Sequence, residues 1–215
     1  MHDVAILMFD GVEVLDFAAP FEVLSLAGTR IEPGTMSVTT VSTSRQVMAR
    51  NGLEVRPSVC ETLPTAVDVL VLPGGPGVEP TIDRDAVVMK WIAETVPRAK
   101  WVMSICSGAV FLAKLGFLKG RRATTHHSDF EVVRRLEPSV RIEQNKRFVR
   151  DGKFVTSAGI SAGLDSSLFL VSELLGQDAA GRTADWLEYL SDGWKSDESS
   201  QAGGSCRSVV GHIDK

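Results

Sequence analysis

Two apolar runs limit this chain more than anything else in it. The first is Val4-Ala5-Ile6-Leu7-Met8-Phe9, closed by Asp10-Gly11; the second is Val67-Asp68-Val69-Leu70-Val71-Leu72, which passes straight into Pro73-Gly74-Gly75-Pro76-Gly77. Short runs of this kind, bounded by turn residues and without polar alternation, read as strands buried on both faces, the habit of a parallel sheet with helices on either side. Helical stretches follow them in alternation: Phe21 to Ala27 after Pro20, Asp85 to Val96, Asp129 to Leu136, Leu164 to Leu175 and Ala179 to Leu190. Further strands are expected at Met36 to Thr43, at Leu53 to Arg56 beyond the Asn51-Gly52 turn, and in a hairpin of 148–150 with 154–156 across Asp151-Gly152. The expectation is an α/β sandwich with a mainly parallel central sheet, a single domain over residues 1–194, and a polar tail over 195–215.

A third run carries the chemistry. Val102-Met103-Ser104-Ile105 is a strand, Cys106 follows at once, and Ser107-Gly108-Ala109-Val110-Phe111-Leu112 opens a buried helix. A residue at such a junction sits on a tight bend at the carboxyl edge of the sheet, and Ser104 and Gly108 are small enough to allow it. Free amides at the start of the helix point at the sulfur and are expected to favour thiolate. Cys106 is therefore the candidate nucleophile, although an isolated cysteine is more often a small buried hydrophobe.

Other segments bear on the same edge. Asp16 interrupts an apolar stretch just beyond the first strand, where ligands of open α/β sheets bind; it reads either as an acid at that edge or as a cap for the following helix. The Pro73–Gly77 loop offers backbone amides for close approach to a ligand or a developing charge, or is simply a rigid turn. It lacks the G-x-G-x-x-G spacing of a dinucleotide site and the lysine of a phosphate loop. The short strand at Arg122-Ala123-Thr124-Thr125 delivers His126 and His127 to the next turn, and His126, the first to leave it, is the stronger candidate for the site.

Composition narrows the function classes. The chain has 215 residues and a formal net charge of −4, with basic runs no longer than Arg121-Arg122 and Arg134-Arg135, so no nucleic-acid footprint is expected. No apolar run approaches a membrane span, and no secretory leader is apparent. Cys60, Cys106 and Cys206 are an odd number without C-x-x-C spacing, which indicates neither a disulfide framework nor a zinc site and suits a reducing cytoplasm.

Taken together, four segments resemble the ThiJ/PfpI superfamily: Val14-Leu15-Asp16-Phe17-Ala18-Ala19-Pro20, Leu72 to Gly77, Ser104-Ile105-Cys106-Ser107-Gly108, and Ser157 to Asp165. The resemblance implies a flavodoxin-like three-layer sandwich with a cysteine nucleophile elbow, and within the superfamily the first segment and the Ala-Thr-Thr-His run look most like isonitrile hydratases and the sensor domains of AraC-type regulators. Carried over by position, it implies Cys106 as nucleophile, Asp16 as the acidic partner, and Gly75 with the amide of Ser107 as oxyanion donors. Ser107 keeps the hydroxyl of the threonine typical of isonitrile hydratases and replaces the histidine of PfpI-type peptidases, so a peptidase is not expected. No helix-turn-helix domain is expected within this length. The implied activity is hydration of an isonitrile to an N-substituted formamide without cofactor or metal, on a small-molecule substrate, by a homodimer that engages neither nucleic acid nor membrane. Alternatives are a glyoxalase or deglycase activity on small dicarbonyls, which would lean more on a histidine such as His126, and a cysteine redox sensor or ligand-binding module.

Overall fold

The structure, a computed structural model, describes residues 1–196; Cys206 and the rest of the expected tail beyond Ser196 lie outside the described residues. One seven-stranded sheet organises the chain. Its strands, in chain order, are β1 (His2–Leu7), β2 (Met36–Ser42), β3 (Val59–Cys60), β4 (Val69–Leu72), β5 (Trp101–Ile105), β6 (Phe148–Asp151) and β7 (Phe154–Ser157). Across the sheet they run β6-β7-β5-β4-β1-β2-β3. Every pairing is parallel except the β6–β7 hairpin, with Ala5 opposite Leu70, Leu70 opposite Val102 and Met103 opposite Val155.

The helices are α1 (Val14–Leu26), α2 (Val78–Arg84), α3 (Ala86–Arg98), α4 (Ala109–Lys114), α5 (Phe130–Leu136), α6 (Ala162–Leu175) and α7 (Gln177–Trp186). Helices α1, α6 and α7 pack as one group, and α2 with α3 and α4 with α5 form the other layer. Because both faces are covered, Ile6, Leu70, Val71, Val102 and Met103 are wholly buried in one continuous core, as the unalternated sequence runs require. No helix among the described residues is long and apolar enough to cross a membrane.

Two local readings change. Helix α1 starts at Val14, not after Pro20, which lies inside it. The missing amide of Pro20 leaves the Asp16 carbonyl without its i+4 donor, a cost the apolar face of α1 outweighs by burying Phe17, Ala19, Val23 and Leu24. Asp16 is thus inside the helix, with Glu13 at the N-cap position, and the capping reading falls. The second change concerns 53–56: Glu54–Val55 pairs antiparallel with Val47–Met48 as a separate ribbon and does not join the main sheet.

Parallel strands deliver their carboxyl ends to one edge, where the turns after β1, β4, β5 and β7 converge. Contact there is between backbones. A Cβ on Gly108 would stand 2.0 Å from the Leu72 carbonyl oxygen, and one on Gly77 would stand 1.8 Å from that of Asp10. Gly108→Ala is expected to destabilise the protein by about 3 kcal/mol or more, since backbone must move to admit it. Gly181→Ala, at a helical position where a Cβ meets nothing within 4 Å, is expected to stabilise by about 0.5–1 kcal/mol. Urea denaturation of both variants measures the contrast.

Candidate active site

Cys106 follows directly on β5, as the first residue of a short turn, with φ +56°, a left-handed conformation that costs a non-glycine residue roughly 1–3 kcal/mol. It is held there from both sides of its peptide: the Cys106 amide donates to the Ala158 carbonyl at 3.1 Å, and Thr125 Oγ1 donates to the Cys106 carbonyl at 2.6 Å. Cys106, Ser107 and Gly108 form a single 3-10 turn before α4. This is the strand-turn-helix elbow expected from sequence.

The glycine-rich turn after β4 packs directly onto the elbow. A Cβ on Gly74 would stand 2.6 Å from the Ser107 nitrogen, and one on Gly75, at φ +125°, would meet the Gly11 carbonyl and the Glu13 amide at 2.4 and 2.5 Å. The Gly74 amide donates to Asp16 Oδ2 at 3.0 Å, and the Gly75 amide donates to Ser107 Oγ at 2.9 Å. Gly75 therefore spends its amide on the serine hydroxyl, whereas the amides of Ser107 and Ile160 serve the Cys106 sulfur. Ile160, at φ +48°, belongs to the turn after β7 and had no sequence signal as a site residue beyond its place in the Ser157–Asp165 segment.

Asp16 is fully buried, its Oδ1 makes no conventional hydrogen bond, and the Cys106 thiol is its side-chain hydrogen-bonding neighbour. Burial pushes its carboxyl up to about 7; the Gly74 amide and the thiol oppose this, and the Glu13 carboxylate adds to it. Cys106, 8 % exposed, is pushed up to about 12. Burial is the main cause and the charge of Asp16 the next, with a smaller contribution from Asp129, against the two amides that favour thiolate. The expected thiolate-favouring environment is thus overturned: α4 has only six residues, too short for its dipole to outweigh burial beside a carboxylate. The sulfur and the carboxyl are better described as one pair that holds a single proton between the two titrations.

A cavity of about 260 Å³ opens onto the sulfur. Cys106, Ser107, Gly75 and His126 line it, while Asp16 lies behind the sulfur and does not. His126 Nδ1 is 2.7 Å from Ser128 Oγ and 4.0 Å from Asp129 Oδ2, and its ring packs against Gly159, where a Cβ would stand 2.3 Å from Cδ2. His127 stacks on His126 but stays off the cavity wall. Sequence reading took Asp129 only as a helix start; here it is raised by burial and lines the cavity with Glu79 and the Glu13–Arg50 ion pair, closed at 2.6 Å. A ligand atom from each of Cys106, His126 and Asp129 lies within 4.8 Å of the others.

Known proteins resemble this chain over most of its length. The DJ-1/PfpI family pattern matches residues 2–173. An isonitrile hydratase of Pseudomonas putida is 33 % identical over 187 residues, covering 86 % of this chain and 78 % of that protein. The transcriptional regulator GbdR of Pseudomonas aeruginosa is 24 % identical over 87 % of this chain, which spans 51 % of the regulator. Among solved structures, a ThiJ/PfpI family protein from Pseudomonas syringae superposes with a TM-score of 0.78 at 31 % identity, covering 89 % of this chain and 76 % of that one.

The buried carboxyl has a consequence for stability. An aspartate raised from 3.8 to about 7 binds its proton more tightly folded than unfolded, so its contribution favours the native state below about pH 4 and declines as pH rises through 7. Asp16→Asn keeps an acceptor for the Gly74 amide without the charge. It is expected to stabilise the fold at pH 8 by up to about 4 kcal/mol, and to leave it unchanged at pH 4. Denaturant midpoints at the two pH values check this.

Proposed function

The chain belongs to the DJ-1/PfpI family, and on that premise we propose that it is an isonitrile hydratase-like lyase with Cys106 as nucleophile and Asp16 as proton carrier. The observation that carries the reading is the buried Asp16–Cys106 pair, whose carboxyl is tuned to near neutrality at the sulfur that would attack. A general acid–base group works best with a pKa near the working pH.

In this reading the reactive form holds one proton on the pair. Asp16 takes the thiol proton as sulfur adds to the terminal isonitrile carbon, and delivers it to that carbon, giving a thioimidate in which carbon bears hydrogen and sulfur. The carbon arrives bonded to sulfur, so a carboxyl behind the sulfur can serve it without lining the cavity. Water then adds from the cavity side. One of its protons goes to nitrogen and the other returns through Asp16 to sulfur as the carbon–sulfur bond breaks, releasing an N-substituted formamide and free thiol. The amides of Ser107 and Ile160 stabilise negative charge on sulfur, and Ser107 Oγ holds the glycine turn in place through Gly75. A cavity of about 260 Å³ suits a small substrate.

A second reading, a glyoxalase or deglycase activity on small dicarbonyls, draws on one observation, the presence of His126 on the cavity wall. Family resemblance also supports a homodimer. Leu15 and Phe21 of α1, each 37 % exposed, are apolar surface that a second copy could cover. Sedimentation is expected to give a dimer, and monomer alone at micromolar concentration contradicts that.

Turnover of simple isonitriles and of methylglyoxal, followed by mass spectrometry, separates the two activities. Hydration predicts formamide over many turnovers, none with Cys106→Ala, a loss of about 10²-fold or more with Asp16→Asn, and a much smaller loss with His126→Ala. The rate should rise with pH through an apparent pKa near 7 as the pair loses its first proton. Consumption of methylglyoxal with His126→Ala as damaged as Asp16→Asn favours the second reading. Stoichiometric modification of Cys106 without released product would instead indicate a sensor.

A further inference from the structure

We propose that the cavity is also a binding site for a soft divalent cation of the zinc class, held by Cys106 Sγ, a ring nitrogen of His126 and a carboxylate oxygen of Asp129, and that the bound ion blocks the nucleophile.

The donor set is mixed, one thiolate, one imidazole and one carboxylate, and such sets are typical of zinc with a fourth position left to water. The geometry is close to that need. Each residue offers an atom within 4.8 Å of the other two. In a tetrahedral site with ordinary zinc bonds the ligand atoms stand about 3.3–3.6 Å apart. The remaining closure is at most about 1.5 Å, within reach of side-chain rotation at His126 and Asp129, whose side chains are 26 % and 22 % exposed. Only the sulfur is fixed, and the elbow points it at the cavity.

Charge supplies a second, independent argument. Asp129 and Glu79 line the wall with Glu13, and Asp16 lies directly behind the sulfur. Against these, the one arginine or lysine among the described lining residues is Arg50, already engaged with Glu13. A cavity so short of positive charge attracts a cation, and a dication bound by thiolate, carboxylate and neutral imidazole makes the first shell electrically neutral. The cation forms its bond to sulfur as the thiol proton leaves to solvent; nothing is oxidised or reduced. Because the ion occupies the side of the sulfur that a substrate must reach, metal binding and turnover exclude each other whatever the substrate is. Cysteine spacing carries no trace of this site, since its ligands come from two different turns.

Calorimetric titration of the full-length protein with zinc, and absorption spectra with cobalt(II), test the site without reference to catalysis. We expect one tightly bound equivalent of zinc and a sulfur-to-cobalt charge-transfer band. Cys106→Ala should abolish both, and Asp129→Asn and His126→Ala should each weaken binding by about tenfold or more while circular dichroism stays native. Zinc binding that survives Cys106→Ala undiminished, binding indifferent to both Asp129→Asn and His126→Ala, or no binding at micromolar free zinc would each overturn the proposal.

Discussion

The backbone of the turn after β4 touches the backbone of the elbow after β5, and the site depends on that contact. Gly108 lies against the Leu72 carbonyl and Gly74 against the Ser107 amide at separations no side chain would permit. Because the two turns meet without intervening side chains, the Gly74 and Gly75 amides can reach Asp16 and Ser107, and Asp16 can stand behind the sulfur although it comes from a different helix. The strained φ of Cys106 is held by other segments: the Ala158 carbonyl beyond β7 accepts from its amide, and the Thr125 hydroxyl donates to its carbonyl.

Burial then sets the electrostatics. A carboxyl and a thiol are placed together away from water: burial disfavours the charged form of each and the Asp16 charge raises the thiol further, while the thiol's hydrogen bond to Asp16 and the amides of Gly74, Ser107 and Ile160 compensate in part. The helix dipole is a minor influence and no preformed thiolate is favoured, so the proposed mechanism has the Asp16 carboxylate take the thiol proton. The arrangement costs stability at neutral pH and above, which fits a residue kept for chemistry rather than for packing.

Much of this was legible in the chain. Uninterrupted runs at β1 and β4 identified a parallel sheet, and the strand–cysteine–glycine order identified the elbow. The position of Asp16 beyond β1 marked the right edge, although its helix starts six residues before Pro20, because burial of one apolar face outweighs the preference of proline for the first turn. What could not be read were the features set by contacts between turns. The Ile160 amide at the sulfur leaves no side-chain signature, Asp129 resembles any acid at a helix start, and the occupation of the Gly75 amide depends on a serine 32 residues away. The direction of the thiol's displacement was misread for the same reason, since the length of α4 and the carboxyl behind the sulfur are visible only in three dimensions.

Between its two titrations the Asp16–Cys106 pair holds one proton, carried by the sulfur beside an ionised carboxylate. Infrared difference spectra between the wild type and its Cys106→Ala and Asp16→Asn variants, recorded from about pH 5 to 9, observe both groups directly. The account predicts that the protonated-carboxyl band of Asp16 disappears with a midpoint near 7 while the thiol S–H band persists to the alkaline end. A carboxyl already ionised at about pH 5, with thiolate formed below about pH 8, would contradict it.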